Sequence, residues 1–322
     1  MHIDKYMYIF RKIFILILPF KQIIQKRGCF LMKRKVSLHG PSTLTVSLPS
    51  KWAKKYGIKQ GDEIEVEEKN NILIINAKKG RSVNKKEINI SNLYPLIRRT
   101  LVKTYQEGYD EVLINFNEPG LLSQIQGITG ELIGFEVIEQ RTNHCILKDI
   151  SGASGENFDV LFRRIFLILK DIFEDGKTAL EKGDKELIKN LMSRDIEINK
   201  LTHFCLRTLS KENADKKAIY FTIIHACERA GDEYKNMLSM YLNNELKIDD
   251  KFLEIYNKLK QFFNYVYNFT FDCKLENALK IAKENETLRK DIQSVNDYFY
   301  FRNLLDNLLF IQELQLAEIK DI

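Results

Sequence analysis

The strongest constraint on this chain is the stretch from Asn157 to Ile322, which runs almost without a strand signal. Its apolar residues recur at the spacing of one helix face. It divides into six predicted helices at roughly 157–182, 184–210, 215–244, 250–272, 274–293 and 295–320. Gly183-Asp184 separates the first pair, and Asn243-Asn244 ends the third. Three helices followed by three similar ones, the second set shorter, predict a tandem three-helix bundle. The aromatic run from Phe262 to Phe271 reads as the core face of the fourth helix, with a partner-docking surface as the alternative.

Two other patterns precede it. Over residues 84–150, INIS, DEVLINF, FEVIEQ and CILKDI read as strands, with helical stretches at Leu93 to Glu107 and Leu121 to Leu132. That β-α-β-α-β-β order predicts a small α+β module. It carries no phosphate loop, no nucleophile with a base and no metal spacing, so it reads as a spacer or dimerisation unit. Ser151 to Gly155 reads as a linker into the helices. Over residues 32–80 the strands are short: Leu44, Val46 and Leu48 alternate with polar residues, Pro49 ends the run, and SKWAKKY makes a turn of helix that closes at Gly57. Turns at Lys59 to Asp62 and Lys69 to Asn71 lead into EIEVEE and ILIINA. So few residues with one Trp cannot bury enough surface to stand alone, and partner strands must come from elsewhere.

The 50 Lys+Arg and 44 Asp+Glu are unevenly spread. Between Lys5 and Gly61 lie thirteen basic residues and no acidic one, whereas the chain from Asp62 onward is net acidic. Concentrated positive potential at one end is what contact with nucleic acid or an acidic membrane requires. Lys33, Arg34, Lys35, Lys51, Lys54 and Lys55 are the candidates for such contact; a solvated basic face, or a domain used mainly for pairing, is the alternative. The five cysteines, Cys29, Cys145, Cys205, Cys227 and Cys273, form no CxxC pair and are odd in number, which reads as a reducing cytosol. The apolar run Ile13 to Phe20 is too short to span a membrane, where roughly 20 residues are needed. Met32 reads as the physiological start and residues 1–31 as an upstream extension, with a basic amphipathic membrane anchor as the alternative.

On the third predicted C-terminal helix, Glu228, Asp232 and Asn236 are spaced i, i+4, i+8 and share one face. They make either a hard oxygen surface for a cation or a row of solvent-facing groups. His225 lies on the same stripe and is a further candidate ligand; His203, beside Phe204, reads as packed. The chain lacks the paired Glu-x-x-His of a ferritin-like di-iron site, and with no nucleophile and base it reads as no enzyme.

Two resemblances add to this reading. MKRKVSLHGPSTLTVSLPSKWAKKYGIKQGDEIEVEEKNNILII, from Met32, resembles the SpoVT/AbrB-type DNA-binding domain, in which two chains interleave their hairpins into one swapped barrel. Many members place Gly-Arg before the second strand, whereas this chain reads Gly40-Pro41-Ser42-Thr43. Hydroxyl or phosphate contacts from Ser42 and Thr43 therefore stand in for base readout. ERAGDEYKN, from Glu228, resembles the Glu-Arg-x-Gly-Asp-x-x-x-Asn signature of PhoU proteins, and Asp195 to Asn199 resembles that family's Asp-x-x-x-Asn element. The PhoU resemblance implies a surface cluster of Glu228, Asp232, Asp195, Asn199 and Asn236 around iron, zinc, magnesium or another divalent ion. The second repeat departs from it, with Arg302 in the glutamate's place and Asn285 in the aspartate's, so at most one cluster is implied.

Together the two resemble archaeal AbrB/PhoU-type phosphate uptake regulators. The fold implied is multidomain: a small swapped-hairpin β-barrel head at 32–80, a small α+β middle module at 84–150, and an all-α tandem three-helix-bundle half at 157–322. The function implied is DNA-binding transcription regulation of phosphate uptake by a cytoplasmic homodimer or higher oligomer. Its partners would be duplex DNA and phosphate transporter ATPase components, with membrane contact only indirect and no cofactor required beyond that metal. The alternative is a signalling adaptor that inhibits a phosphate transporter, with the head used only to dimerise.

Overall fold

The computed structural model describes residues 33–69, 72–76, 83–151, 158–211, 217–294 and 299–319. The expectations for residues 1–31 lie outside this range. The chain divides after Arg81 into two compact units.

In the first unit, β1 (Val36–His39) and β2 (Thr43–Val46) form an antiparallel hairpin around Gly40, whose φ of 70° suits the turn. Val36 pairs with Val46 and Leu38 with Leu44, so four aliphatic side chains share one face. Ser37, Thr45, His39 and Thr43 take the other face, where the Thr45 hydroxyl donates to the Ser37 carbonyl at 3.2 Å. Helix α1 (Ser50–Lys55) follows Pro49. A turn in which Lys59 N–H donates to Asp62 Oδ2 at 2.8 Å leads toward the antiparallel pair β3 (Glu65–Lys69) and β4 (Ile72–Asn76). None of the described residues here is buried; Val36, Leu38, Leu44 and Val46 are 53–69% exposed.

The second unit begins with the α+β module: β5 (Lys85–Asn89), α2 (Ile97–Gln106), β6 (Glu111–Asn115), α3 (Leu121–Thr129), β7 (Phe135–Gln140) and β8 (His144–Asp149). The sheet order is β5-β6-β8-β7, with the first pair parallel and the others antiparallel. Its core gathers Ile97, Leu101 and Tyr105 from α2 with Val112, Ile114, Cys145 and Leu147 from the strands.

Six helices follow: α4 (Phe158–Lys182), α5 (Lys185–Lys211), α6 (Lys217–Leu242), α7 (Asp250–Asp272), α8 (Leu275–Gln293) and α9 (Phe299–Glu313). The first three and last three pack within their own sets, while α4 also packs on α7 and α6 on α9, which joins both sets in one apolar core. Phe262, Phe263, Val266 and Phe269 of the aromatic run lie in that core, as expected. At the crossing of α4, α6 and α7, a Cβ on Gly176 would lie 1.7 Å from Tyr234 Oη. The tyrosine hydroxyls donate into the α4 backbone, Tyr234 to the Ile172 carbonyl at 3.1 Å and Tyr256 to the Phe173 carbonyl at 2.9 Å. Among the described residues no helix is long and apolar enough to cross a membrane. The architecture is the expected one: a small β-rich head, an α+β module and a helical half.

The middle module packs directly on the helical half. Helix α2 packs on α5, and charge-assisted bonds reinforce the contact. Arg207, 1% exposed, donates to the Tyr105 carbonyl at 2.8 Å and to Asp149 Oδ2 at 2.7 Å, with its guanidinium over the Tyr105 and Phe135 rings. Lys211 donates to Asp110 at 2.6 Å and Asp149 at 2.7 Å.

Candidate functional site

On the head, Lys33, Arg34 and Lys35 precede β1, Ser42 lies in the hairpin turn, Thr43 opens β2, and Lys51, Lys54 and Lys55 lie on α1; all eight are exposed.

In the helical half, Gly231 brings α6 close to α5: a Cβ there would meet Ile198 Cδ1 at 3.2 Å and Asp195 Oδ1 at 3.6 Å. This approach places Asp195 and Asn199 of α5 beside Asp232 of α6. Asp195 is buried, and its Oδ2 accepts from Asn199 Nδ2 at 3.1 Å and from Lys235 Nζ at 2.6 Å, while its Oδ1 is buried with no hydrogen-bond partner among the described residues. The same ammonium lies 3.6 Å from Asp232 Oδ1. Burial, then the neighbouring Asp195 charge, pushes the Asp232 carboxyl above its ordinary range despite Lys235. Burial works against the Lys235 charge, but its bond to Asp195 prevails and raises its pKa.

Glu228 turns elsewhere, its Oε2 lying 3.1 Å from His225 Nδ1. Burial opposes its charge, yet that hydrogen bond and the nearby His203 and Lys103 hold the carboxyl below its usual range. Asn236 lines a groove with Arg229, Asp232, Asn303 and Asp306. The i, i+4, i+8 stripe therefore runs across two surfaces, with Glu228 on one, Asn236 on the other and Asp232 between them on both.

Among the described residues no group of three or more His, Cys, Asp or Glu is placed to hold a metal ion. Lys235 already bridges the two carboxylates that do approach, so the donor set as arranged does not fit a resident divalent ion. The second repeat carries the same device. Arg289 donates to Asn285 Oδ1 at 3.0 Å and to Asp306 at 2.8 Å. In both repeats a side-chain cation stands between the α5 or α8 polar group and the acid of the neighbouring helix.

Glu228, Asp232, Asn199, His203 and His225 line one pocket with Arg98, Arg99, Val102, Lys103 and Gln106 of α2. His203 is buried as expected, but it also meets Gln106 Nε2 through Nδ1 at 3.0 Å. Sequence reasoning missed Arg99, Lys103, Arg207, Lys211 and Lys235. One signal was available: Asp195, Asn199, His203, Arg207 and Lys211 follow at four-residue steps along α5, too regular a polar series for a helix otherwise packed on both sides. Cys145, Cys205 and Cys227 are buried thiols; burial raises Cys145 to about 11, Cys205 to about 12 and Cys227 further, which leaves them unreactive.

The model of the family described as antidote-toxin recognition MazE, bacterial antitoxin, matches residues 40–82, and the PhoU domain model matches residues 162–241, the first three helices of the bundle. No curated protein and no solved structure matches the chain. The chain joins a MazE/AbrB-like antitoxin domain to a PhoU domain.

Proposed function

We propose that this protein is a DNA-binding transcription regulator of phosphate uptake, acting in the cytoplasm as a homodimer. The paired domains support a regulator of phosphate homeostasis. One observation carries the finer reading: the β1–β2 hairpin has an aliphatic face exposed in a single chain, and six basic side chains stand exposed around it in sequence. Pairing two heads covers the first and doubles the second. The helical half then serves as the sensing or partner-binding part. The reading is non-enzymatic and requires no cofactor; turnover of a phosphoester, lost in Asp232→Ala, overturns that part of it.

The test is binding of the full chain to its own upstream region and to phosphate-transporter promoters, titrated with salt. Each lysine or arginine on a phosphate contributes about −0.9 to the slope of log K against log salt. A steep slope with a preferred promoter sustains the reading. Flat, weak binding overturns it, and capture of transporter ATPase components then supports an adaptor that inhibits the transporter.

A further inference from the structure

We propose that the pocket between the middle module and the helical half binds a protonated phosphoryl group, carried by inorganic phosphate or a phosphomonoester. The pocket encloses about 490 Å3. Arg99, Lys103 and Gln106 of α2 line one wall, and His203, Glu228 and Asp232 of α5 and α6 line the other. The α2 residues recur at i, i+4, i+7 and so share a stripe, while Ile97, Leu101 and Tyr105 bury the opposite face in the module's core.

Charge pairing decides the sign of the ligand. Glu228 is held by His225, Asp232 lies near Lys235, and Arg98 at the rim pairs with Glu131. Among the described residues no carboxylate lies within ion-pair distance of Arg99 or Lys103; Lys103 donates to the neutral Gln106 Oε1 at 2.7 Å and acts on Glu228 only at longer range. The α2 wall is thus cationic and faces two carboxylates across the pocket. Any oxyanion satisfies the cations. Only one that carries hydrogen also suits the carboxylates, because a P–OH donates to Glu228 or Asp232, whereas sulfate near neutral pH has no hydrogen to donate. The volume falls in the range of small-molecule sites, about 300–1,000 Å3, and exceeds what free phosphate needs, so a phosphomonoester also fits. Occupancy ties α2 to the two helices that carry the PhoU signature. The inference deepens the reading of a phosphate regulator and rests on that reading only for biological sense; DNA binding is not a premise of it.

The experiment is calorimetric titration of the full chain in phosphate-free buffer with potassium phosphate, with AMP and, at matched ionic strength, with potassium sulfate. Phosphate or AMP is expected to bind and sulfate not. Because both side chains are exposed, the Arg99→Ala/Lys103→Ala double variant keeps its unfolding midpoint, yet loses about tenfold in affinity per charge-assisted bond removed. Glu228→Gln narrows the preference for phosphate over sulfate. Tighter binding of AMP identifies a phosphomonoester and tighter binding of phosphate the free ion; either sustains the site. Absence of binding by both, equal binding of sulfate, or undiminished binding by the double variant overturns it. DNA binding in the same phosphate-free buffer is read separately, so its failure overturns the regulator reading and not the pocket.

Discussion

In the helices α4–α9 every apolar stripe closes on another around one continuous core, while in the head Val36, Leu38, Leu44 and Val46 line a common face that stays exposed. The difference is not one of composition, because the hairpin strands β1 and β2 alternate as half-buried strands should. A two-stranded hairpin has one apolar face and no second layer to set against it, whereas six helices supply their own. Stability is internal to the helical region and has to be completed from outside in the head.

The largest expected effect sharpens this contrast inside the second unit. Arg207→Met leaves Lys211 as the one cation bonded to the buried Asp149 carboxylate, which should cost about 3–5 kcal/mol in urea unfolding. A loss under about 1 kcal/mol would mean that module and bundle hold together without the ion pair. Burial disfavours the Asp149 charge, but bonds from Arg207, Lys211 and Ser151 outweigh it and hold the carboxyl well below its ordinary range. A depressed folded pKa stabilises above the unfolded value of about 3.9, and that stability is lost as pH falls through it toward the folded value. The gap between wild type and Arg207→Met should therefore shrink below about pH 4.

The next effect belongs to the head. In the proposed pairing of two heads, Leu44→Asp removes an aliphatic group whose burial between them would be worth about 1.5–3 kcal/mol per copy. Sedimentation should show dissociation while urea unfolding of the helical half is unchanged; an intact dimer breaks the comparison. Within the helices, Gly176→Ala forces a methyl against Tyr234 Oη and should cost about 1–3 kcal/mol, because packed helices cannot all move aside. The smallest effect separates the two repeats. Lys235→Met strips the buried Asp195 of its cation and, discounted for the lysine's 37% exposure, should cost about 1 kcal/mol, against nearly nothing for Arg289→Met on the exposed Asp306. Equal losses would make the two sites equivalent.

Most of the fold was legible because its signals are local. The six helices follow from apolar period, and Gly183 and Asn244, both at positive φ, mark their ends as the sequence suggested. The strands of the module follow from alternation. The candidate site was legible in part: Asp195 and Asn199 meet, and Asn199, Glu228 and Asp232 share one pocket, but Asn236 faces a neighbouring groove that only Asp232 of the set also lines. Lys235 was three residues past Asp232 and in plain view; a motif search that asks only for ligands passes over a lysine among them. Arg207 with Tyr105 and Asp149 was illegible for a different reason, since those partners lie 102 and 58 residues away and no local pattern encodes the pairing.

Helix α5 bears the acid cluster at Asp195, the pocket wall at His203 and the clamp at Arg207. Along a helix, Asp195 and Arg207 are about 18 Å apart, a span over which a packed α-helix turns as a rigid shaft. Asp195, His203 and Arg207 thus ride on one stiff element, and the middle module is keyed to its far end by a guanidinium, so the acid cluster and the module share a single mechanical reference.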